Sequence, residues 1–164
     1  MGMFEKLAEL IVDSPLNQWI QAKYWLWPIL EITHFLGLTL LLGGLIIIDL
    51  RMIGFFRNID HKTTHRLIPL VALGFILNLI TGVLFFYGDP MRYSINIAFQ
   101  IKMLLVLIAG CNAAVYHFKI DPLLGAINNN DSSPLAISIV AAISLGTWTG
   151  VLLLGRLIPY IGTG

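Results

Sequence analysis

The chain is short of charge and almost without cysteine. Only 12% of its 164 residues are Asp, Glu, Lys or Arg, against about 25% in an ordinary soluble domain. Cys111 is the sole cysteine, which excludes a disulfide-stapled secreted domain. The net charge of +1 offers no global field to a polyanion, so a nucleic-acid binder is excluded as well. In place of charge there is apolar surface. The residues are 57% hydrophobic and the mean hydropathy is +0.84. That composition cannot cover a soluble fold of this length with polar groups. It excludes a cytoplasmic globular enzyme and a disordered linker, and it implies an integral membrane protein.

A membrane-crossing helix needs about 20 mostly apolar residues. Four stretches meet that condition: 27–48 with a continuation toward Phe56, 67–87, 97–118 and 135–157. Short connections between them predict an all-α, antiparallel four-helix bundle over residues 25–164. Residues 1–24 read differently. Phe4, Leu7, Leu10 and Ile11 share one helical face, opposite Glu5, Lys6 and Glu9. This is the pattern of an amphipathic helix lying in the membrane interface rather than of a signal peptide. Asp13-Ser14-Pro15 ends that helix and starts another with Pro15 in its first position. Trp19, Tyr24, Trp25 and Trp27 form an aromatic belt at the entry to the first span. Gly88-Asp89-Pro90 reads as a turn. Asp131-Ser132-Ser133-Pro134 reads as a helix start with Pro134 in the first position, just after the short run Asn128, Asn129 and Asn130.

Basic residues give an orientation. Arg51, Arg57, Lys62 and Arg66 follow the first span and Lys119 follows the third, while Lys23, Arg92 and Arg156 lie at the other side. The positive-inside rule then places the first and third loops in the cytoplasm and both termini outside. In a bacterial inner membrane that is the periplasm.

Charged groups at bilayer depth are costly and tend to face the bundle interior, where they mark function. The first span carries Glu31 and His34, three residues apart and therefore on one face. The third carries Lys102 near its outer end and His117 near its inner end. The second offers Asn78 and Thr81, and the fourth Ser138, Ser144, Thr147 and Thr149 beside Trp148. Asp49 and Arg51 fall at the inner end of the first span. With a rise of about 1.5 Å per residue, His34 lies about 14 Å along its helix from Trp25, and Lys102 about 8 Å from Ile97. His117 lies about 30 Å from the outer end, level with His65 and close to His61. Two histidine levels result, roughly 16 Å apart. His34 and His117 therefore cannot ligate one haem iron together. At the outer level His34 has Lys102, solvent or nothing as its partner, whereas at the inner level His65 and His117 can pair. Lys102 and Arg92 are the cations available to porphyrin propionates.

Plainer readings stand beside each of these. His34 also reads as a buried polar residue bonded to Glu31 or to a hydroxyl of the fourth span. Lys102 also reads as a snorkelling side chain or as a salt-bridge partner of Glu31. His117, with Tyr116 and Lys119, fits an interfacial cluster, and His61 and His65 fit solvated loop positions. Gly37, Gly43, Gly44, Gly74, Gly82, Gly146 and Gly150 let helices approach closely. The Glu31-x-x-His34 spacing is also found in di-metal carboxylate bundles, but those need several more inward carboxylates. A copper site has only Met103 and Cys111 as soft buried candidates.

The stretch Pro28-Ile29-Leu30-Glu31-Ile32-Thr33-His34-Phe35-Leu36-Gly37-Leu38, followed by Asp49-Leu50-Arg51 and Gly54, resembles an uncharacterised bacterial family of small four-helix membrane proteins. Thr81-Gly82-Val83-Leu84-Phe85-Phe86, then Asp89-Pro90, Tyr93, Asn96, Ala98-Phe99 and Lys102, carries the same resemblance. More distantly, a first-span histidine followed by Leu-Gly, with a lysine early and a histidine late in the third span, is similar to the CopD-type and HemJ-type haem membrane proteins. His34 and Lys102 match those positions, and His117 lies further from Lys102 than in the HemJ pattern. The resemblance implies a cytochrome b-like protein with haem b near His34.

Three functions from different classes follow. The first is a b-type haem membrane protein that transfers electrons between a quinol and a redox membrane partner, or oxidises a small substrate. The second is a haem-free accessory subunit that packs into a homo- or hetero-oligomer. The third is a proton-coupled carrier using Glu31, His34 and Lys102, which four helices without an internal repeat support least.

Overall fold

A computed structural model describes residues 2–56, 58–126 and 134–161. Arg57, Asn128–Asn130 and Asp131–Ser133 lie outside the described residues, as does the side chain of His61. The elements are α1 (Met3–Ile11), α2 (Pro15–Gln21), α3 (Leu26–Ile53), α4 (His61–His65), α5 (Ile68–Gly88), α6 (Pro90–Ile95), α7 (Ile97–Val115), α8 (Asp121–Ala126) and α9 (Leu135–Leu157). A π-helical turn, Tyr116–Ile120, joins α7 to α8. No strand occurs among the described residues. Four helical stretches are long and apolar enough to cross a membrane: Leu26–Ile53, Lys62–Gly88, Ile97–Leu124 and Leu135–Leu157. The chain is therefore a helical membrane protein whose outer faces meet lipid.

The expected spans are found, and their ends are set by local chemistry. The first span continues past Ile48 as expected and stops, short of Phe56, at Gly54, whose φ of 100° closes the helix. Phe55 N–H donates to Leu50 O across that turn at 2.9 Å, the glycine-terminated arrangement expected of a helix C-terminus. The third span outruns its expected end. Pro122 cannot donate a backbone hydrogen bond and would crowd a regular helix. The chain widens into the π-turn just before it and continues as α8. The fourth span has its expected limits, with Pro134 as the residue before its first turn rather than within it.

Two helices share a regular seam. On α3, Leu30, His34, Gly37, Leu41, Gly44 and Ile48 recur at alternating steps of four and three. Leu67, just before α5, and Val71, Gly74, Asn78, Thr81 and Phe85 on it do the same. Such a repeat keeps one stripe of each helix on the other. The glycines set the separation. A Cβ on Gly74 would lie 2.5 Å from Leu41 N and 2.6 Å from Gly37 O, and one on Gly37 would lie 2.6 Å from Asn78 Nδ2. A Cβ on Gly150 of α9 would meet Leu105 of α7 at 2.7 Å, whereas Gly43, Gly82 and Gly146 face open space. Close packing thus explains Gly37, Gly44, Gly74 and Gly150.

The bundle closes on three sides. α5 packs along α3, α3 along α9, and α9 along α7. On the fourth side the backbones of α5 and α7 scarcely approach one another. Aromatic rings fill that side at the end bearing both chain termini, hereafter the terminal end. Phe86 of α5 stacks on Phe99 of α7 with centroids 5.6 Å apart, and Phe4 of α1 sits edge-on to both. Phe4, Ala8 and Ile11 form the protein-facing edge of α1, while Leu7 and Leu10 remain exposed beside it. An interfacial helix needs both edges, one for the protein and one for lipid.

The opposite end, where α3 leads into α4 and α8 follows the π-turn, is hereafter the loop end. Its core joins Ile48, Met52, Ile120, Ile137, Val140 and Ala141. The core of the terminal end is smaller: Ile20, Leu26 and Leu30, covered by Trp27, Leu84, Phe85 and Tyr87.

Candidate functional site

His34 projects from the α3 seam onto α5. Its Nδ1 lies 2.7 Å from Thr81 Oγ1, and Thr81 is 2% exposed. The Thr81 hydroxyl has one proton, and its shortest acceptor is Leu77 O at 2.6 Å. The hydroxyl oxygen therefore accepts from the imidazole, which assigns the ring proton to Nδ1. Nε2 then carries the lone pair and has no protein partner among the described residues. The edge of Phe85, 5.5 Å away between centroids, fixes the ring from another side.

Lys102 approaches the same level from α7. Its Nζ lies 3.4 Å from where a Cβ on Gly155 of α9 would stand, so the absent side chain makes room for the ammonium group. Lys102 is within electrostatic reach of the His34 ring. The two residues thus come together across the bundle, from helices that are not neighbours. Glu31 does not join them: it is exposed, and among the described residues no salt bridge links it to Lys102. Its carboxylate instead acts on Tyr93 of α6, as does Asp89. Burial is the main cause that holds the Tyr93 hydroxyl above the usual tyrosine range. Arg92 opposes the shift, and the two carboxylates add to it. Arg92 itself is exposed at the terminal end.

The other two histidines lie at the loop end. His65 Nε2 is 3.4 Å from Asp121 Oδ2, and His117 is exposed, with its ring edge-on to Phe118 at 5.0 Å. Each is engaged by a different neighbour. Met103 and Cys111 are both exposed, on the lipid side of the helix. Among the described residues no group of three or more His, Cys, Asp or Glu side chains converges as a metal site.

The loop end also holds polar residues that the sequence reading left outside any site. A cavity of about 100 Å³ lies among all four spans, lined by Asp49, Asn112, Tyr116 and Ser144 amid Leu45, Ile48, Ile68, Val71 and Val140. Asp49 is 3% exposed, and its Oδ2 has no hydrogen-bond partner, nor has the Tyr116 hydroxyl. The signal for Asp49 was its place at the inner end of the first span, in the continuation toward Phe56. The helix runs on to Ile53 and carries it inside.

Comparison with protein-family models, with curated proteins and with solved structures finds no match for this chain. The reading of the site therefore rests on its own geometry.

Proposed function

We propose that the chain is a b-type haem membrane protein of the bacterial inner membrane, with both termini in the periplasm and His34 Nε2 as the iron ligand. The observation that carries this reading is the 2.7 Å contact between His34 Nδ1 and Thr81 Oγ1. With its own proton on Leu77 O, the Thr81 hydroxyl accepts from Nδ1–H and leaves the Nε2 lone pair free to ligate a metal inside an apolar bundle. Fixing the distal nitrogen of a ligating histidine in this way is how proteins aim and tune a metal-bound imidazole.

The donor set favours a porphyrin over a bare ion. Structural or catalytic zinc takes three or four protein ligands. A haem brings four nitrogens of its own and needs only one or two axial groups. A single aimed imidazole is enough for it, with the Lys102 amine as the other candidate at that level. Lys102 and Arg92 are the cations placed to hold propionates toward the terminal end. When bound, haem b supplies a one-electron couple, and a quinol or a redox membrane partner is the class of electron source such a protein serves.

The test is the absorption spectrum of protein purified from cells supplied with haem precursor, oxidised and then reduced with dithionite. A Soret band that shifts on reduction and is lost or displaced in His34→Ala is the expected result. Thr81→Val should keep the haem but shift its midpoint potential, because the ligand loses its aiming bond. A colourless preparation overturns the reading.

A further inference from the structure

The loop-end cavity has no part in a haem site at His34. Its one acidic group, Asp49, is almost fully buried and one of its carboxylate oxygens lacks any partner. An ionised carboxylate in an apolar interior is costly unless a counter-charge sits beside it. Among the described residues no salt bridge to Asp49 supplies one. Three neutral groups surround it. Ser144 Oγ is within hydrogen-bonding reach of the carboxylate. Tyr116 offers an unpartnered hydroxyl to the same cavity. Asn112 donates its Nδ2 to Val140 O at 3.1 Å, which leaves its amide oxygen for the cavity it lines. Tyr116 is also the first residue of the π-turn.

We propose that Asp49, Asn112, Tyr116 and Ser144 form a binding site for one alkali-metal cation. Hard oxygen donors of mixed type are what such ions take, and four helices contribute to the cavity. The charge count selects the valence. One carboxylate neutralises a monovalent ion, whereas calcium sites use six to eight oxygens, several of them carboxylate. A divalent ion here would leave net positive charge in an apolar core. The volume admits an ion with a water, since a water needs roughly 10–15 Å³ on this measure. Asp121, paired with His65, is within electrostatic reach of Tyr116.

Thermal unfolding of the detergent-purified protein tests this, with NaCl or KCl exchanged for choline chloride at constant ionic strength. A ligand that binds only the folded state raises the melting temperature progressively with its concentration. The wild type should show that rise with sodium or potassium. Asp49→Asn should lose it, and Tyr116→Phe should need several-fold more salt for the same shift. His34→Ala should respond like the wild type, which separates this site from the proposed haem site. Equal melting temperatures of the wild type in all three salts overturn the proposal. So does a salt response that survives in Asp49→Asn. If that variant does not fold, Tyr116→Phe and the wild-type titration decide.

Discussion

The two ends of the bundle treat buried polar groups in opposite ways. At the terminal end they fasten helices. Asn17 of α2 donates to Tyr87 O at 2.6 Å and to Gly88 O at 3.3 Å, and Gln21 donates to Gly88 O at 3.1 Å. These bonds satisfy carbonyls at the C-terminus of α5, which would otherwise be stranded. Asn96 does the same for α9, with its Nδ2 on Ile158 O at 2.9 Å and on Ile161 O, while its Oδ1 caps α7 at Phe99 N. At the loop end, Asp49 Oδ2 and the Tyr116 hydroxyl have no partner and border a cavity. A buried polar group with every bond made holds the structure together. One left unbonded costs stability.

Substitutions can break this contrast. The upper end of the scale belongs to the seam that both halves share. Gly74→Leu forces a side chain into the backbone of α3 and should cost about 3 kcal/mol or prevent folding, read as loss of monodisperse protein or a large fall in melting temperature. Asn96→Ala strands two carbonyls and removes a helix cap, for about 2–3 kcal/mol. Asn17→Ala should follow at about 1–2 kcal/mol, since Gln21 still reaches Gly88. Tyr116→Phe, in choline buffer, should match the wild type or exceed it by up to about 1 kcal/mol, because it deletes a buried hydroxyl that bonds to nothing. Denaturant or thermal unfolding of the four variants ranks them. A Tyr116→Phe loss as large as that of Asn17→Ala would erase the distinction between the two ends.

The architecture was legible from composition and from apolar runs of membrane length, because lipid allows so few alternatives to a spanning helix. That Lys102 lies within electrostatic reach of His34 agrees with their matching depths along the two spans. The hydrogen-bond partner of His34 was not legible. Glu31 lies nearer in sequence, but Thr81 meets the ring because the α3–α5 seam brings the two helices into glycine-mediated contact. Asn96 stands just before an apolar run, where a capping residue is expected. Its grip on α9 depends on where that helix ends in space, which no local pattern encodes. Asp49 was placed at the inner end of the first span, but its burial and its unbonded oxygen depend on how α7 and α9 pack against that end, which again no local pattern encodes. A span can run past the apolar stretch that announces it when a glycine further on supplies the stop.

Asn96 has a mechanical consequence. Because one side chain holds the start of α7 and the end of α9, those two helices cannot slide or splay at the terminal end without breaking its two hydrogen bonds to Ile158 O and Ile161 O. Asn17 and Gln21 tether α2 and α5 there in the same manner. The terminal end is thereby pinned by side-chain bonds that cross between helices. The loop end is held instead by the larger apolar core and by Asn112 on Val140, so the walls of the cavity around Asp49 are tied chiefly by apolar packing.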